Sequence, residues 1–343
     1  TDYNEHRLFM KTLSFWMTNA RKTSLMQSLM PAMLAVVMAL GSENFNPWLA
    51  LAAVVGVMAA HLGMNLADDY FDYKVGTSES RKKLVRQGFR ARIVKYPYLT
   101  DGSATLADLR WAIVLFLAFA ALLGGCVLAF RGSNVLWIAL ITLFLGLFYS
   151  AKPLKLSYRG LGELVIGVIF GPLLMSGVYI AASGHFDTSI IWVSIPVGLL
   201  VINILFTHSF IDQAADKASG KVTLAVLLSN DKANLAVSIL LNIVPFAAII
   251  VAVLAGYLHY AYLAVLLVFP RALWLLHSLK AFANKKEINM ERPPKFLGRM
   301  ENWEAIKQSG IDWFMIRWYC ARNIISDFCL IVAVVTIILI LCR

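Results

Sequence analysis

Hydrophobic residues in this chain form long runs, and polar and charged residues are largely confined to the segments between them. A run of about 18 or more apolar residues is long enough for an α-helix to cross a lipid bilayer. Nine such runs are present, and we expect each to form a membrane-spanning helix. They cover residues 24–41, 46–67, 107–130, 133–149, 161–183, 188–211, 233–257, 259–281 and 323–342. The pattern predicts an all-α polytopic membrane protein with a single domain over residues 1–343.

The basic residues are distributed unevenly between the predicted loops. The chain contains 31 Lys and Arg residues and carries a formal net charge of +11. Most of these residues precede the first run or lie in every second loop after it, whereas loops 42–46 and 183–188 contain almost none. Since cytoplasmic loops are enriched in Lys and Arg, we predict a cytoplasmic N-terminus and an external C-terminus in the inner or cell membrane. We attribute the positive charge to this cytoplasmic face, where it attracts anionic lipid or diphosphate, and not to nucleic-acid binding.

Two acidic clusters lie at the ends of predicted spans, one in each half of the chain. They comprise Asp68, Asp69 and Asp72 with Asn65 before them, and Asp212 with Asp216. On a helix, residues three or four apart share a face, so these carboxylates repel one another unless a cation binds. Oxygen ligands of this kind suit Mg2+, and a substrate phosphate accompanies that ion. We therefore predict that the clusters face each other across one cytoplasmic site, the alternative being ordinary solvated loop acids.

The first cluster matches the pattern DDxxD, which binds Mg2+ and a diphosphate in soluble isoprenyl diphosphate synthases. Together with the second cluster and its Gly220-Lys221-Val222-Thr223-Leu224 continuation, the chain resembles the UbiA superfamily of intramembrane prenyltransferases. The resemblance implies nine helices around a central cavity that opens to the lipid. It also implies that the two motifs hold Mg2+ and a prenyl diphosphate between them.

Within this superfamily, three stretches resemble the branch that prenylates 1,4-dihydroxy-2-naphthoate in menaquinone synthesis. They are residues 19–24, residues 149–154 with 158–163 and 170–172, and residues 220–226. The sequence departs from that branch at His208, where Asn is usual, and at Val222, where a basic residue is common. Lys152 and Lys155 also make one loop more basic than the branch usually shows.

The resemblance implies a role for each residue of the two motifs. The predicted metal ligands are Asp68, Asp69, Asp72, Asp212 and Asp216, of which Asp69, Asp72 and Asp212 also act in catalysis. The residues expected to bind the diphosphate are Asn65, Lys74, Lys217, Lys221, Arg21 and His208. Tyr149 and His208 are the candidates for the base that acts on the acceptor. His208 could instead orient Asp212 or have a structural role only.

The predicted function is Mg2+-dependent transfer of a polyprenyl group from its diphosphate to an aromatic acceptor, 1,4-dihydroxy-2-naphthoate. Alternative acceptors are 4-hydroxybenzoate, a tetrapyrrole such as haem or a chlorophyllide-like ring, and glycerol phosphate. An ion-coupled transporter is the alternative of another class, although transporters bind their substrates near the bilayer midplane. The expected partners are the two substrates and membrane lipid, with no nucleic acid, and the sequence makes no prediction of oligomeric state.

Two further features carry expectations. The basic loop 73–106 follows the first cluster, and we expect it to close over bound diphosphate; the alternative is a solvated loop that only sets topology. Arg271 lies inside the eighth run and is expected to face the bundle interior or a water-filled cavity.

Overall fold

The computed structural model describes residues 12–75, 96–218, 220–286 and 291–342, and the regular elements in these segments are all helical. The helices are α1 Leu13–Asn19, α2 Met26–Ala39, α3 Pro47–Val75, α4 Pro97–Thr100, α5 Leu106–Arg131, α6 Ser133–Ser150, α7 Gly162–Ser183, α8 Thr188–Ile211, α9 Gln213–Ala218, α10 Leu224–Leu228, α11 Asp231–Leu254, α12 Tyr260–Ala283, α13 Trp303–Gln308 and α14 Asp312–Leu341. The prediction of an all-α membrane protein is confirmed.

Eight of these helices are long and apolar enough to cross a membrane: α3, α5, α6, α7, α8, α11, α12 and α14. They correspond to eight of the nine predicted spans. The predicted span over 24–41 contains α2, which has only 14 residues and follows a 3-10 turn, Lys22–Leu25. A helix of that length is shorter than the roughly 20 residues that crossing a bilayer requires. The count of nine spans therefore stays a prediction.

Two helices extend well beyond the predicted runs. Helix α3 continues to Val75, so the first acidic cluster lies on its last turns, and α14 begins at Asp312 instead of residue 323. Hydropathy detects the part of a helix that favours lipid, whereas the backbone hydrogen bonds continue until a breaker interrupts them. Gly310, with φ of 69°, is such a breaker between α13 and α14.

Helix α8 forms the centre of the bundle. In its most apolar 18-residue stretch 72% of the residues are buried, whereas the corresponding share in α5 is 6%. Helix α5 therefore lies at the lipid-facing periphery. Helix α8 packs against α7, α11 and α14. Its largest fully buried side chains include Phe206 and Phe210. Because Asp212 follows α8 directly, the second acidic cluster is positioned by the most buried of the eight long helices described.

Glycines bring the backbones of α7 and α8 into close contact. A Cβ atom at Gly171 would lie 2.6 Å from the Cα of Gly198, and one at Gly198 would lie 2.7 Å from the carbonyl oxygen of Gly167. Helices in a bilayer associate mainly through packing, so small residues at a crossing stabilise it. At this crossing α7 also contains a π-helical turn, Ile169–Leu173, around Pro172.

We predict that Gly198→Ala lowers stability by about 1–3 kcal/mol, because the added methyl group meets backbone that cannot move aside. The matched control is Gly125→Ala in α5, where a Cβ has nothing within 4 Å. Thermal unfolding of the detergent-purified variants measures the effect. Equal melting temperatures for the two variants would contradict the close crossing of α7 and α8.

Candidate active site

Two of the three carboxylates of the first acidic cluster are buried, Asp69 at 0% exposure and Asp72 at 2%. An Nη of Arg21 donates to one oxygen of Asp69 at 2.9 Å, and the Tyr98 hydroxyl donates to the other at 3.0 Å. Asp68 accepts a hydrogen bond from Ser150 and lies 3.5 Å from the Arg21 guanidinium. Hydrogen bonds and a cation therefore offset the cost of burying these charges.

Arg21 is held at the cluster by the segment that precedes α2. It has a left-handed backbone, with φ of 62°, and its guanidinium also donates to the Asn65 carbonyl oxygen at 2.9 Å. The Asn65 side chain in turn donates to the Ala20 carbonyl at 2.9 Å and to Ser24 Oγ at 3.0 Å. Asn65, predicted to bind diphosphate, thus fastens the N-terminal segment to α3 in this structure.

Charge and burial change the proton affinities of the two groups that contact Asp69. Burial opposes the charge of Arg21, but the carboxylates of Asp69 and Asp68 outweigh it and raise the pKa of the guanidinium. Burial and the charge of Asp69 raise the pKa of the Tyr98 phenol. Tyr98 therefore keeps its proton and remains a hydrogen-bond donor to the carboxylate.

Asp72 lies one turn further along α3. Its carboxylate accepts a hydrogen bond from Tyr158, and its carbonyl oxygen accepts one from Tyr96 at 3.3 Å. Lys74, a predicted phosphate ligand, places its ammonium group 4.6 Å from the centre of the Tyr70 ring. A cation in this position is stabilised by the aromatic face.

The second acidic cluster is also buried, and its carboxylates lie beside basic side chains. Asp212 is 3.2 Å from Nε2 of His208, and Asp216 is 3.9 Å from the Lys221 ammonium. The backbone N–H of Lys221 donates to the Asp216 carbonyl oxygen at 2.9 Å, which keeps the lysine next to the carboxylate. Lys217, which is also predicted to bind diphosphate, is exposed.

The turn between α6 and α7 joins the two clusters. Tyr158 in the 3-10 turn Leu156–Arg159 contacts Asp72, and the N–H of Gly160 donates to the Val222 carbonyl oxygen at 2.9 Å. Tyr149 precedes this turn, and its carbonyl oxygen accepts a hydrogen bond from Ser157 Oγ at 2.8 Å. The two clusters therefore belong to the same end of the bundle.

Glu163, at the start of α7, links two segments that flank the second cluster. It is buried, with 5% exposure, and accepts a hydrogen bond from Ser209 Oγ at 2.7 Å. Both of its carboxylate oxygens lie 3.4 Å from the backbone N–H of Leu224. Glu163 thus fastens the end of α8 to the start of α10, on either side of the second cluster.

Sequence reasoning assigned no site role to Tyr98, Ser150, Tyr158 or Glu163. Three of them lie in the stretch 149–163 that carries the resemblance to the naphthoate branch, so that stretch was the available signal. Tyr98 lies within the basic loop 73–106, in α4, and no sequence pattern singles it out. Residues 76–95 of the predicted lid 73–106, which include its basic residues from Arg81 to Lys95, lie outside the described residues, so closure of the lid stays a prediction. Arg271 does face a partner, Asp327 of α14, with which it forms an ion pair.

The donor chemistry of the site fits a magnesium ion, since its acidic side chains present carboxylate oxygens. Within the described segments, however, no three acidic, His or Cys side chains are grouped closely enough to form a ready-made metal site. The assignment of all five aspartates as ligands stays a prediction.

Comparison with known proteins gives a family match. The model of the UbiA prenyltransferase family matches residues 28–296. The chain is 28% identical over 190 residues to UbiA prenyltransferase domain-containing protein 1 of Dictyostelium discoideum, covering 53% of this chain and 54% of that protein. It is 28% identical over 215 residues to 1,4-dihydroxy-2-naphthoate octaprenyltransferase of Bacillus subtilis, covering 61% and 64%. The matches thus span less than two thirds of these two relatives.

Solved structures share the fold over nearly the whole chain. A structure of digeranylgeranylglyceryl phosphate synthase superposes with a TM-score of 0.60 at 14% identity, covering 96% of this chain and 98% of that one. A UbiA homologue from Archaeoglobus fulgidus bound to DMAPP and Mg2+ gives a TM-score of 0.59 at 14% identity, covering 91% and 99%. At this identity the similarity shows the fold alone.

We predict that Glu163→Ala destabilises the protein by about 1–3 kcal/mol, because it leaves the buried Ser209 hydroxyl and the half-buried N–H of Leu224 without this acceptor. Hydrogen exchange at the Leu224 amide should become faster, and the melting temperature should fall. Glu163→Gln is the matched control, since its amide oxygen can still accept from Ser209. If the alanine variant kept the stability and exchange rate of the wild type, this role of Glu163 would be wrong.

Proposed function

The chain belongs to the UbiA prenyltransferase family, and from this premise we propose that it transfers a polyprenyl group from prenyl diphosphate to an aromatic acceptor. We propose 1,4-dihydroxy-2-naphthoate as the acceptor, in menaquinone biosynthesis. The observation that carries the proposal is the presence of two aspartate clusters at the same end of an apolar bundle, linked through Tyr158 and Gly160 of one turn, with Asp69, Asp72, Asp212 and Asp216 all buried. Buried carboxylates in a membrane protein mark functional sites.

In the proposed mechanism, Asp68, Asp69 and Asp72 on α3 and Asp212 and Asp216 after α8 hold magnesium with the diphosphate. When bound, the metal neutralises the charge that develops on the departing diphosphate. Lys221, held near Asp216, and Arg21, held near Asp69, are placed to pair with phosphate oxygens. The carbon–oxygen bond to the diphosphate breaks, an allylic cation forms, and the electron-rich ring attacks it. The ring becomes aromatic again when the attacked carbon releases a proton to a base or, with the naphthoate acceptor, its carboxylate as carbon dioxide.

His208 is the better supported of the two candidate bases. Its Nε2 lies 3.2 Å from Asp212, and its ring packs edge-on against Phe314 at 5.1 Å, which together fix its orientation. A carboxylate partner of this kind sets the tautomer and the orientation of an imidazole. For Tyr149 the described hydrogen bond is one that its backbone carbonyl accepts from Ser157 Oγ at 2.8 Å, and this bond does not orient the phenol.

The choice of acceptor is supported by relatives of the chain. The Bacillus relative described above is named as a 1,4-dihydroxy-2-naphthoate octaprenyltransferase, which supports this acceptor. The solved structure of digeranylgeranylglyceryl phosphate synthase keeps glycerol phosphate as a second candidate, although that similarity concerns the fold alone. 4-Hydroxybenzoate and a tetrapyrrole are less well supported, because no relative described above is named for either of them.

We also propose that the run 24–41 completes a set of nine spans around a central cavity, with the N-terminus and the site facing the cytoplasm. Seven of the fourteen residues of α2 are half-buried or more exposed apolar residues that suit a lipid contact, and α2 packs against α7 and α14. An ion-coupled transporter is less well supported, because both acidic clusters lie at helix ends and not near the bilayer midplane.

The test of the function is mass spectrometry of the lipid product. We expect purified protein supplied with one prenyl diphosphate and Mg2+ to prenylate 1,4-dihydroxy-2-naphthoate in preference to 4-hydroxybenzoate, a tetrapyrrole or glycerol phosphate. Excess EDTA should abolish the product, because the departing diphosphate then lacks its metal. Prenylation of another acceptor alone would correct the acceptor. Failure to release diphosphate with any acceptor would favour a transporter.

We predict that Asp69→Ala and Asp212→Ala each abolish transfer while the protein still inserts and purifies. Each variant removes one carboxylate from the metal bridge that substrate binding and diphosphate departure both require. Asp231→Ala is the control, since Asp231 is exposed at the start of α11. Near-normal turnover of either site variant at saturating Mg2+ would show that the two clusters do not form one site.

A further inference from the structure

Arg21 forms ion pairs with Asp68 and Asp69, two of the carboxylates that the proposed function assigns to the metal. One of its Nη atoms lies 2.9 Å from Asp69 Oδ1 and 3.5 Å from Asp68 Oδ2, so a single nitrogen contacts both side chains. Magnesium requires compact octahedral geometry with oxygens at about 2.0–2.1 Å. A magnesium ion bound to those oxygens would lie close to the guanidinium, and like charges so close repel, so we expect the two cations to compete for the carboxylates.

The guanidinium is not fully satisfied where it lies. Its Nε is buried and has no hydrogen-bond acceptor among the residues that the structure describes, which is costly for a charged donor. The Arg21 side chain nevertheless keeps 38% exposure, so its other face is open to the surroundings. An unsatisfied Nε and a partly exposed side chain together indicate that the Arg21 guanidinium can bind a further anion.

The backbone of Arg21 is anchored independently of its guanidinium. Ser24 Oγ donates to the Arg21 carbonyl oxygen at 2.8 Å, and Asn65 Nδ2 donates to the preceding carbonyl, of Ala20, at 2.9 Å. These contacts hold the left-handed backbone in place through groups that do not involve the side chain. The guanidinium can therefore change partners by side-chain rotation while the segment stays fixed to α3.

We propose that Arg21 is an exchangeable counter-ion, which neutralises Asp68 and Asp69 before the substrates bind and transfers to the diphosphate when the metal takes its place. The proposal rests on the proposed function and deepens it. One consequence is that the metal alone binds weakly, because it must displace Arg21. Diphosphate supplies a new partner for the guanidinium, so metal and diphosphate each strengthen the binding of the other.

The first test measures metal binding directly, with Mn2+ as the probe and electron paramagnetic resonance of free Mn2+ as the readout. The full chain in detergent at pH 8 is compared with Arg21→Gln. We expect the variant to bind Mn2+ alone at least about threefold more tightly, because a positive charge beside Asp68 and Asp69 is gone. Addition of a non-hydrolysable prenyl thiodiphosphate should then strengthen Mn2+ binding less in the variant than in the wild type.

Three controls separate this proposal from a change in overall charge and from the proposed function itself. Lys22→Gln removes the same charge from the adjacent, exposed residue and should leave Mn2+ affinity unchanged. Arg21→Lys keeps the charge and should bind Mn2+ nearly as the wild type does. Asp69→Ala should bind Mn2+ more weakly. If Arg21→Gln binds Mn2+ as tightly as the wild type or more weakly, while Asp69→Ala binds it more weakly, the proposed exchange of Arg21 is wrong and the proposed metal site stands. Unchanged binding by Asp69→Ala overturns both the exchange and the proposed metal site.

A second test uses the wild-type protein only and so does not depend on how the variants fold. Phenylglyoxal modifies accessible guanidinium groups, and peptide mass spectrometry quantifies the modification of Arg21. Saturating Mg2+ alone should increase it by releasing the side chain, and adding the thiodiphosphate should reduce it again. If Mg2+ leaves the modification of Arg21 unchanged, Arg21 does not yield its place to the metal and the proposal is wrong.

Discussion

The burial of carboxylates at one end of an apolar bundle is the constraint on which the rest of this structure depends. An unpaired carboxylate removed from water costs several kcal/mol or more, so each must have a cation or strong donors at hand. The first cluster obtains Arg21 from the segment before α2, Tyr98 from α4 and Ser150 from the end of α6. Because these partners come from distant parts of the chain, satisfying the acids also fixes how those parts meet.

The close crossing of α7 and α8 determines the position of the second acidic cluster. Gly167, Gly171 and Gly198 let the two backbones approach, which sets where the start of α7 stands relative to the end of α8. Glu163 at the start of α7 then reaches Ser209 and the N–H of Leu224. The packing of α7 on α8 thus determines where Glu163 lies. Its two contacts flank Asp212 and Asp216 in the sequence and so hold that segment in place.

The sequence predicted the elements of this protein better than their contacts. Apolar runs predicted nine spans, and eight of them correspond to helices long enough to cross a bilayer, because transfer into lipid depends on composition over about twenty residues. Residue spacing placed Asp69 and Asp72 at the end of a span. Neither pattern contains the distance between residues far apart in the chain, so the bonds of Tyr98 to Asp69 and of Tyr158 to Asp72 were not predictable. Helix ends were misjudged for a related reason, since α3 and α14 continue through polar residues that hydropathy excludes.

The partners of the acidic residues divide them into two kinds. The partners of Glu163 are neutral donors, a hydroxyl and a backbone N–H, which belong to the fold and have no second anion to neutralise. Asp69, Asp212 and Asp216 instead lie beside Arg21, His208 and Lys221, whose positive charge or proton suits a phosphate equally well. A carboxylate and a diphosphate can each stabilise such a cation, so the cation can exchange the carboxylate for the diphosphate when substrate binds. A backbone N–H held within a helix start has no such freedom. On this reasoning Glu163 maintains the shape of the site, and the three aspartates with their basic partners form the part of it that responds to substrate.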